Sequence, residues 1–278
     1  MMNLDDPAQS WSDVAAAWDA SVDFVDDHSA AATARLVDRV DVHSGDRVLE
    51  LAAGPGSIGQ QLSTLVGPTG TVLLSDIAPG MVDVARRRNG GLDNVEVAVL
   101  DLTAIDRPDR SFDVVVCRMG LMFAPEPADS FAEIHRVLAP GGRLGALTWA
   151  GMEHNPWMTC VGMAAMINGL VSGGPPVGPG GIFSLGDPTQ VEAVAKGAGF
   201  VDVTVEEIDL TFTSPSIDEH VARVSSLAGP MASVLAAAPP DKQAALLKTA
   251  ADLAAPYIND DGVAIPGRAL LLSCSARW

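Results

Sequence analysis

The amino-acid sequence predicts an α/β fold in which helices cover a doubly wound, seven-stranded and mostly parallel sheet. Short apolar segments alternate with amphipathic helical segments over residues 47–149. A glycine-rich turn follows the first apolar segment, and a Pro-Gly-Gly turn precedes the fifth. Alternation of this kind is typical of parallel sheets whose two faces are both buried.

Each predicted element follows from a local pattern of apolar residues and turn signals. Nearly continuous apolar runs and strict alternation indicate strands, whereas apolar residues spaced three and four apart indicate helices. The predicted strands are residues 47–53, 71–75, 95–100, 112–117, 143–149, 201–212 and 269–276. The predicted helices are residues 10–25, 30–40, 58–66, 79–88, 129–138 and 187–199, with further helical sequence over 216–255.

The chain of 278 residues has the length of one domain with substantial insertions. A stretch rich in glycine and proline at 169–186 predicts a long loop. We therefore divide a single domain, 1–278, into functional segments. They are an N-terminal helical cover (1–42), a cofactor-binding core (43–150), a substrate-cover loop insertion (151–186), the end of the core sheet (187–213 and 268–278) and a helical lid insertion (214–267).

Charge and cysteine content exclude several classes of function. The 17 basic and 35 acidic side chains give a net charge of −18, which disfavours nucleic acids and anionic membranes. Cys117, Cys160 and Cys274 are too far apart for a metal-binding motif, and no histidine–carboxylate cluster has metal spacing. The N-terminal residues lack the apolar segment of a signal peptide. We expect a cytoplasmic protein without a metal, a nucleic-acid partner or stable membrane insertion.

The glycine-rich turn after the first strand predicts a nucleotide site. Gly54, Gly56 and Gly59 form a GxGxxG pattern, in which glycines allow a tight turn and close approach of a ligand. Asp76 lies twenty residues after Gly56, at the end of the second strand, where a carboxylate can accept hydrogen bonds from ribose hydroxyls. A nicotinamide-dependent oxidoreductase is therefore one alternative.

Two neighbours of the glycines favour a cationic ligand over a pyrophosphate. Glu50, four residues before Gly54, would repel a phosphate and attract an ammonium or a sulfonium. Pro55 removes a backbone donor from the loop. S-adenosylmethionine combines an adenosine, a cationic sulfur and an amino-acid tail.

Five ordered motifs over residues 10–150 carry a family resemblance. They are residues 48–56, 75–81, 100–102, 111–123 and 133–143. The sequence resembles class I S-adenosylmethionine-dependent methyltransferases. Within that class it is similar to the ubiquinone/menaquinone-biosynthesis type of small-molecule methyltransferase (methyltransferase type 11). The resemblance implies a Rossmann-like methyltransferase fold with an antiparallel last strand.

The resemblance implies a set of cofactor-binding residues. Glu50 would orient the ammonium group, Asp76 would hold the ribose, and Asp101 would bind the adenine amino group. The full set is Trp18, Glu50, Ala52, Gly54, Gly56, Ile58, Asp76, Ile77, Met81, Asp101, Leu102, Arg118 and Met119. The cofactor would be S-adenosyl-L-methionine, and its product S-adenosyl-L-homocysteine.

Residues that could contact the methyl acceptor lie at the carboxyl ends of the later strands and in the insertions. The candidates for substrate contact are Phe123, Trp149, Asn155, Trp157 and Phe183. His154 is the candidate base because it follows the carboxyl end of the fifth strand, and His28 is a second candidate. We expect His43, His135 and His220 to be surface or structural residues.

The leading hypothesis is in-line methyl transfer to a small, largely apolar molecule by a protein that could form a homodimer. About fifty residues separate Thr213 from Arg268, where the quinone-pathway enzymes have a close hairpin, so the acceptor and its O, C or N atom stay open. The alternatives are the nicotinamide-dependent oxidoreductase and a catalytically silent cofactor-binding module.

Overall fold

The computed structural model describes residues 6–172 and 176–277. Residues 1–5, 173–175 and 278 lie outside the described part of the chain. Small pieces of the expected N-terminal cover, of the substrate-cover loop insertion and of the segment 268–278 therefore lie outside it as well.

An eight-stranded mixed sheet forms the centre of the fold. Its strands are β1 (Arg47–Leu51), β2 (Thr71–Asp76), β3 (Val95–Val99), β4 (Phe112–Arg118), β5 (Leu138–Trp149), β6 (Phe200–Ser214), β7 (Ile258–Asn259) and β8 (Gly262–Ala276). The strand order is β3-β2-β1-β4-β5-β8-β6, and the two-residue β7 pairs with β8. The first five strands are parallel, while β8 runs antiparallel to both β5 and β6. The expected doubly wound sheet with an antiparallel last strand is confirmed, with β7 as an additional strand.

Helices cover both faces of this sheet. They are α1 (Pro7–Asp13), α2 (Ala15–Ala20), α3 (Val22–Val40), α4 (Gly59–Val66), α5 (Pro79–Asn89), α6 (Pro127–Val137), α7 (Pro156–Ile167), α8 (Pro188–Gly197), α9 (Ile217–Leu227), α10 (Ala232–Ala236) and α11 (Pro240–Ala254). The chain moves outward in opposite directions from the centre of the sheet, and parallel crossovers are right-handed. Consequently α4 and α5 lie on one face, and α6 lies on the other.

The N-terminal segment differs from its predicted form. The sequence predicts one helix near residues 10–25 and a second near 30–40, but the structure has breaks at Val14 and Ser21 and a continuous α3. Trp11 and Trp18 therefore lie on different helices, with ring centroids 6.2 Å apart. Both rings pack against a small apolar cluster that includes Met81 of α5.

Helix α7 occupies part of the segment that was expected to be a loop. Pro156 stands at the first helical position, where its missing N–H costs no hydrogen bond. Cys160, Val161, Ala164 and Ala165 follow with helical spacing and are buried. They form an apolar cluster with α9, α10 and α11, so the insertion has a core of its own beside the main one. The glycines and prolines beyond 168 obscured this helix in the sequence.

Gly145 of β5 is a point of direct contact between the sheet and α3. A Cβ atom there would overlap with Val40 and lie 2.8 Å from Cδ1 of Leu36, and both of these side chains are fully buried. Only glycine lets α3 approach the strand this closely.

Two glycine-to-alanine changes are therefore expected to shift stability in opposite directions. Gly145→Ala forces α3 outward and should lower the free energy of unfolding by about 1–3 kcal/mol. Gly162 lies in α7, and a Cβ added there would have no atom within 4 Å. Gly162→Ala should therefore raise the free energy of unfolding by about 0.4–1 kcal/mol. Denaturant unfolding of both variants measures the difference, and equal stability of Gly145→Ala and wild type would contradict this role for Gly145.

Candidate active site

The predicted cofactor residues converge at the carboxyl ends of β1, β2, β3 and β4. The sheet order places these four strands side by side and reverses direction between β1 and β4, which is where open α/β sheets bind ligands. Hydrogen bonds join the strand ends. The Gly54 N–H donates to the carboxylate of Asp76 (2.9 Å), and the Leu100 N–H donates to the backbone carbonyl of Asp76 (3.0 Å).

Backbone in the left-handed region clusters at this edge. Four residues there have positive φ, namely Ala52 (51°), Gly54 (54°), Gly56 (71°) and Met119 (61°). Two of them, Ala52 and Met119, are not glycine, and such conformations persist only where the surrounding structure enforces them. The Met119 N–H donates to the Leu147 carbonyl of β5 (2.9 Å), which holds this conformation in place.

The glycines of the loop serve two different purposes. Gly54 faces open space, with no atom within 4 Å of a Cβ built on it. A Cβ on Gly56 would lie 2.8 Å from Nδ2 of Asn89 and 2.9 Å from Cβ of Ala85, so this position lets α5 pack against the loop. Gly54 is thus the position where a ligand can approach the backbone, while Gly56 has a packing role in addition to its expected one.

Most N–H groups of the loop are already used inside the protein. The Ala53 N–H donates to the Ser75 carbonyl (2.8 Å), Gly54 donates to Asp76, and the Gly56 N–H donates to the Ala53 carbonyl (2.9 Å). Pro55 has no N–H. A phosphate needs several free backbone donors, so this loop is poorly suited to a pyrophosphate.

Glu50 is the most unusual charged group at this edge. Its side chain is 1% exposed, and neither carboxylate oxygen has a hydrogen-bond partner in the described ranges 6–172 and 176–277. Burial raises the pKa of Glu50 to about 8, and the nearby carboxylates of Asp26 and Asp76 act in the same direction, while Arg118 opposes them.

Arg118 does not neutralise Glu50 because other residues hold its guanidinium. Nη1 donates to Oδ1 of Asp26 (2.8 Å) and to Oγ1 of Thr33 (3.3 Å), and Nη2 donates to Oγ of Ser57. Ser57 in turn donates to Asp26 (3.0 Å), so α3 is tied to the glycine loop. Three carboxylates therefore surround the site with one guanidinium, which favours a cationic ligand.

The remaining cofactor candidates surround this centre. Asp76 is 8% exposed, and burial raises its pKa although the Ala78 and Gly54 N–H groups donate to it. Oδ1 of Asp101 accepts hydrogen bonds from N and Oγ1 of Thr103 (2.8 and 2.7 Å). Ile58 and Met81 are buried, whereas Trp18, Ile77 and Leu102 are half-buried at the edge.

The predicted substrate residues fall into separate groups. Trp149 and Trp157 are neighbours, with ring centroids 5.2 Å apart, and Phe123 instead contacts Trp11 at 5.1 Å. Phe183 lines an open cavity of about 420 Å³ together with His154. The structure gives Asn155 a structural role: its amide donates to the carbonyls of Ala150, Gly151 and Arg268 and accepts from the Arg268 N–H.

Neither candidate base lies directly at the Glu50 centre. His154 is 45% exposed and lies 3.5 Å from Glu153. His28 donates from Nδ1 to the Phe24 carbonyl (2.7 Å), contacts Oγ1 of Thr213 through Nε2 (2.9 Å) and stacks on Phe212.

Two functional candidates were missed by sequence reasoning. His220 was expected to be a surface or structural residue, but it is fully buried, so a surface position is wrong. The sequence did contain a signal for this burial, because His220 shares one face of α9 with the apolar residues Ile217, Val221 and Val224. Asp26 carries no comparable signal because its role depends on how α3 docks.

Membrane and metal features are absent from the described part of the chain. No helix in the ranges 6–172 and 176–277 is long and apolar enough to cross a membrane. The same ranges contain no group of three or more histidine, cysteine, aspartate or glutamate residues that could hold a metal ion.

The raised pKa of Glu50 predicts a pH dependence of stability. Between pH 4.5 and about 8 the folded protein keeps the Glu50 proton that the unfolded chain loses, so this group makes folding less favourable as pH rises. Glu50→Gln removes this contribution. The free energy of unfolding of wild type should fall relative to that of the variant by about 1 kcal/mol per pH unit in this range. Urea unfolding of both proteins at several pH values measures this difference. If the free energies of unfolding of wild type and variant changed in parallel with pH, the raised pKa of Glu50 would be contradicted.

Comparison with known proteins agrees with this geometry. Residues 48–142 match a family described as a methyltransferase domain. The chain is 38% identical over 117 residues to the ubiquinone/menaquinone biosynthesis C-methyltransferase UbiE of Hahella chejuensis, over 41% of this chain and 47% of that protein. The matched segment thus spans about half the length of the curated relatives.

Solved structures share the fold over more of the chain. The YcgJ protein of Bacillus subtilis superposes with a TM-score of 0.59 at 18% identity, covering 88% of this chain and 97% of that one. Phosphoethanolamine N-methyltransferase 2 of Haemonchus contortus, solved with S-adenosyl-L-methionine, gives a TM-score of 0.55 at 19% identity over 88% of this chain and 52% of that one. These likenesses show that the chain shares the fold of these proteins, and the family match shows a methyltransferase domain over residues 48–142.

Proposed function

We propose that this protein transfers the methyl group of S-adenosylmethionine to a small, largely apolar molecule. The observation that carries the proposal is the buried Glu50 carboxylate, which has no partner in the described residues and lies on the strand that leads to the open face of Gly54. A buried carboxylate of this kind is costly unless a cation pairs with it. The ammonium group of the cofactor's amino-acid tail supplies such a cation.

The other residues of the edge fit the rest of the cofactor. Asp76 has lone pairs beyond those used by the Gly54 and Ala78 N–H groups, and they can accept the ribose hydroxyls. Asp101 would accept the adenine amino group between Ile77, Met81 and Leu102, while Arg118 and Met119 would border the amino-acid tail. When bound, the cofactor supplies a methyl group already activated by a sulfonium. The protein therefore contributes orientation and exclusion of water.

The acceptor is assigned to the space beneath the cover segments. Trp149 and Trp157 bring large apolar surfaces to the carboxyl end of β5, and Trp11 and Phe123 do so beside the N-terminal helices. Apolar pockets with few polar groups are typical of small-molecule sites. The match to the methyltransferase domain ends at residue 142, before the helices α7, α9, α10 and α11. The substrate of the quinone-pathway relatives is therefore not carried over.

The alternatives have less support. An oxidoreductase would need the loop to bind a pyrophosphate, but the N–H groups of Ala53, Gly54 and Gly56 are occupied within the protein. A silent cofactor-binding module would share the same cofactor edge. Only an assay with acceptors separates it from an enzyme.

Cofactor binding should release a proton. At pH 7 Glu50 is largely protonated, and an ammonium placed beside it favours the ionised form, so binding of S-adenosylhomocysteine should release about one proton. Calorimetry in two buffers with different ionisation enthalpies measures this release. Glu50→Gln should bind more weakly and release none. Tight binding of NAD without binding of S-adenosylhomocysteine would refute the proposed cofactor.

Asp76→Ala should weaken binding of S-adenosylhomocysteine by roughly 1–3 kcal/mol, because hydrogen bonds to the ribose are lost. Asp83→Ala is the matched control, since this α5 side chain is 74% exposed and pairs only with Arg86 among the described residues. Calorimetry gives both affinities, and denaturant unfolding shows whether the loop has been disturbed. Unchanged affinity in Asp76→Ala would exclude the ribose role.

Methyl transfer itself is tested with labelled cofactor and a panel of phenols, quinols and amines. Methylation of any member supports an enzyme. Binding of S-adenosylhomocysteine with no transfer across the whole panel would favour the silent module.

A further inference from the structure

The buried imidazole of His220 carries an inference that rests on the proposed function and makes it more specific. Nε2 of His220 lies 2.7 Å from the backbone carbonyl oxygen of Trp157. A carbonyl oxygen only accepts hydrogen bonds, so Nε2 carries the proton and donates. Burial lowers the pKa of His220, the hydrogen bond to the Trp157 carbonyl opposes this shift, and the positive Arg223 acts in the same direction as burial. The net pKa is lowered, so the ring is neutral at pH 7.

A neutral ring protonated at Nε2 has a free lone pair on Nδ1. That atom is buried and has no hydrogen-bond partner within the described residues. Leaving a buried acceptor unpaired costs stability, whereas a ligand hydroxyl would satisfy it. Nδ1 of His220 is therefore suited to accept a hydrogen bond from a bound molecule.

The residue that holds the imidazole of His220, Trp157, belongs to a group of packed aromatic rings. The Trp157 ring stacks on Phe212 (3.8 Å between centroids, 12° between planes) and lies beside Trp149. Phe24 lies 6.2 Å from Phe212, and the guanidinium carbon of Arg223 lies 4.5 Å from the Phe24 centroid. A flat aromatic molecule is the kind of ligand that such rings favour, because stacked and edge-to-face contacts add to its apolar burial.

Two of these rings are carried by elements that also contribute to the proposed cofactor edge. Phe24 precedes Asp26 by two residues on α3, and Asp26 holds Ser57 of the glycine loop. Trp149 follows Leu147 by two residues on β5, and the Leu147 carbonyl holds Met119. Phe24 and Trp149 are thus each two residues along the chain from a residue that holds the proposed cofactor edge in place.

The region around His220 is closed in this structure and is poorly paired. Nε of Arg223, Nε1 of Trp157 and Oγ of Ser225 are also buried without partners among the described residues. Each unpaired polar atom weakens the packing between α9 and its neighbours. A separation of α9 from α7 and α3 would expose these groups together and admit a molecule to them.

We propose that the acceptor is an aromatic hydroxyl compound, a phenol, whose hydroxyl donates to Nδ1 of His220, and that His220 is the base of an O-methylation. The acceptor oxygen forms a bond to the transferred methyl carbon as its proton passes to Nδ1. The carbon–sulfur bond breaks, and its electron pair stays on sulfur. The imidazolium that forms then returns its proton to water.

His220→Gln is the variant that tests this role. The glutamine amide can donate to the Trp157 carbonyl as Nε2 does, but it places no acceptor at the position of Nδ1. Calorimetry with S-adenosylhomocysteine should give wild-type affinity, and the kcat for 1-naphthol and 4-methylphenol should fall by about 10²–10⁴-fold. His43→Gln, on an exposed histidine in the turn before β1, is the matched control and should keep wild-type kcat.

A second measurement does not depend on turnover. Nitrogen-15 NMR of histidine-labelled protein, assigned by the signal lost in His220→Gln, should show a neutral ring protonated at Nε2. The Nδ1 resonance should shift when 1-naphthol is added in the presence of S-adenosylhomocysteine. It should not shift with 1-methoxynaphthalene, the control that keeps the rings but has no hydrogen-bond donor.

The outcomes are separable from those of the proposed function. The role of His220 as the base would be overturned if His220→Gln kept wild-type kcat for phenols, or if the protein methylated 1-naphthylamine but not 1-naphthol. It would also be overturned by a ring protonated at Nδ1, or by an Nδ1 resonance that shifts with no phenol. Failure to bind S-adenosylhomocysteine would instead refute the proposed cofactor, and the tautomer and the phenol-induced shift would still decide the role of His220.

Discussion

A buried carboxylate without a partner is the constraint on which the site depends. Glu50 occupies a central strand, where an apolar side chain would pack at no electrostatic cost. The surrounding groups do not relieve this cost, because Asp26, Ser57 and Thr33 hold Arg118. The free protein therefore keeps a proton on Glu50 at neutral pH. In the proposed function this proton is exchanged for a cationic ligand, so that binding and protonation are coupled at one residue.

The same contacts connect the N-terminal helices to the sheet. Asp26 of α3 binds both Arg118 of β4 and Ser57 of the glycine loop, while the indoles on α1 and α2 pack against Met81 of α5. The cover is thus fixed through charged groups at the centre of the site and through apolar groups at its rim. A change of charge at the site acts directly on the position of α3.

The cofactor half of the fold was predictable because its signals are local. Glycines before a helix, an acidic residue at a strand end and the spacing of apolar runs all lie within a few residues of each other. The cover was less predictable, since α7 lies next to a glycine- and proline-rich stretch and Asp26 acts only through docking. His220 shows the intermediate case: an apolar helix face contained it, but no pattern indicated the Trp157 carbonyl that sets its tautomer.

The antiparallel pairing of β6 with β8 has a consequence for how such proteins diversify. Ser214 and Val263 are partners in register, so the long helical insertion leaves the sheet and returns to it at adjacent points. The entropic cost of closing such a loop grows only slowly with its length. Chains with the same sheet can therefore carry insertions of different size here without a change in strand register. In the proposed function this insertion covers the acceptor, so acceptor preference can change with the insertion while the residues of the cofactor edge stay the same.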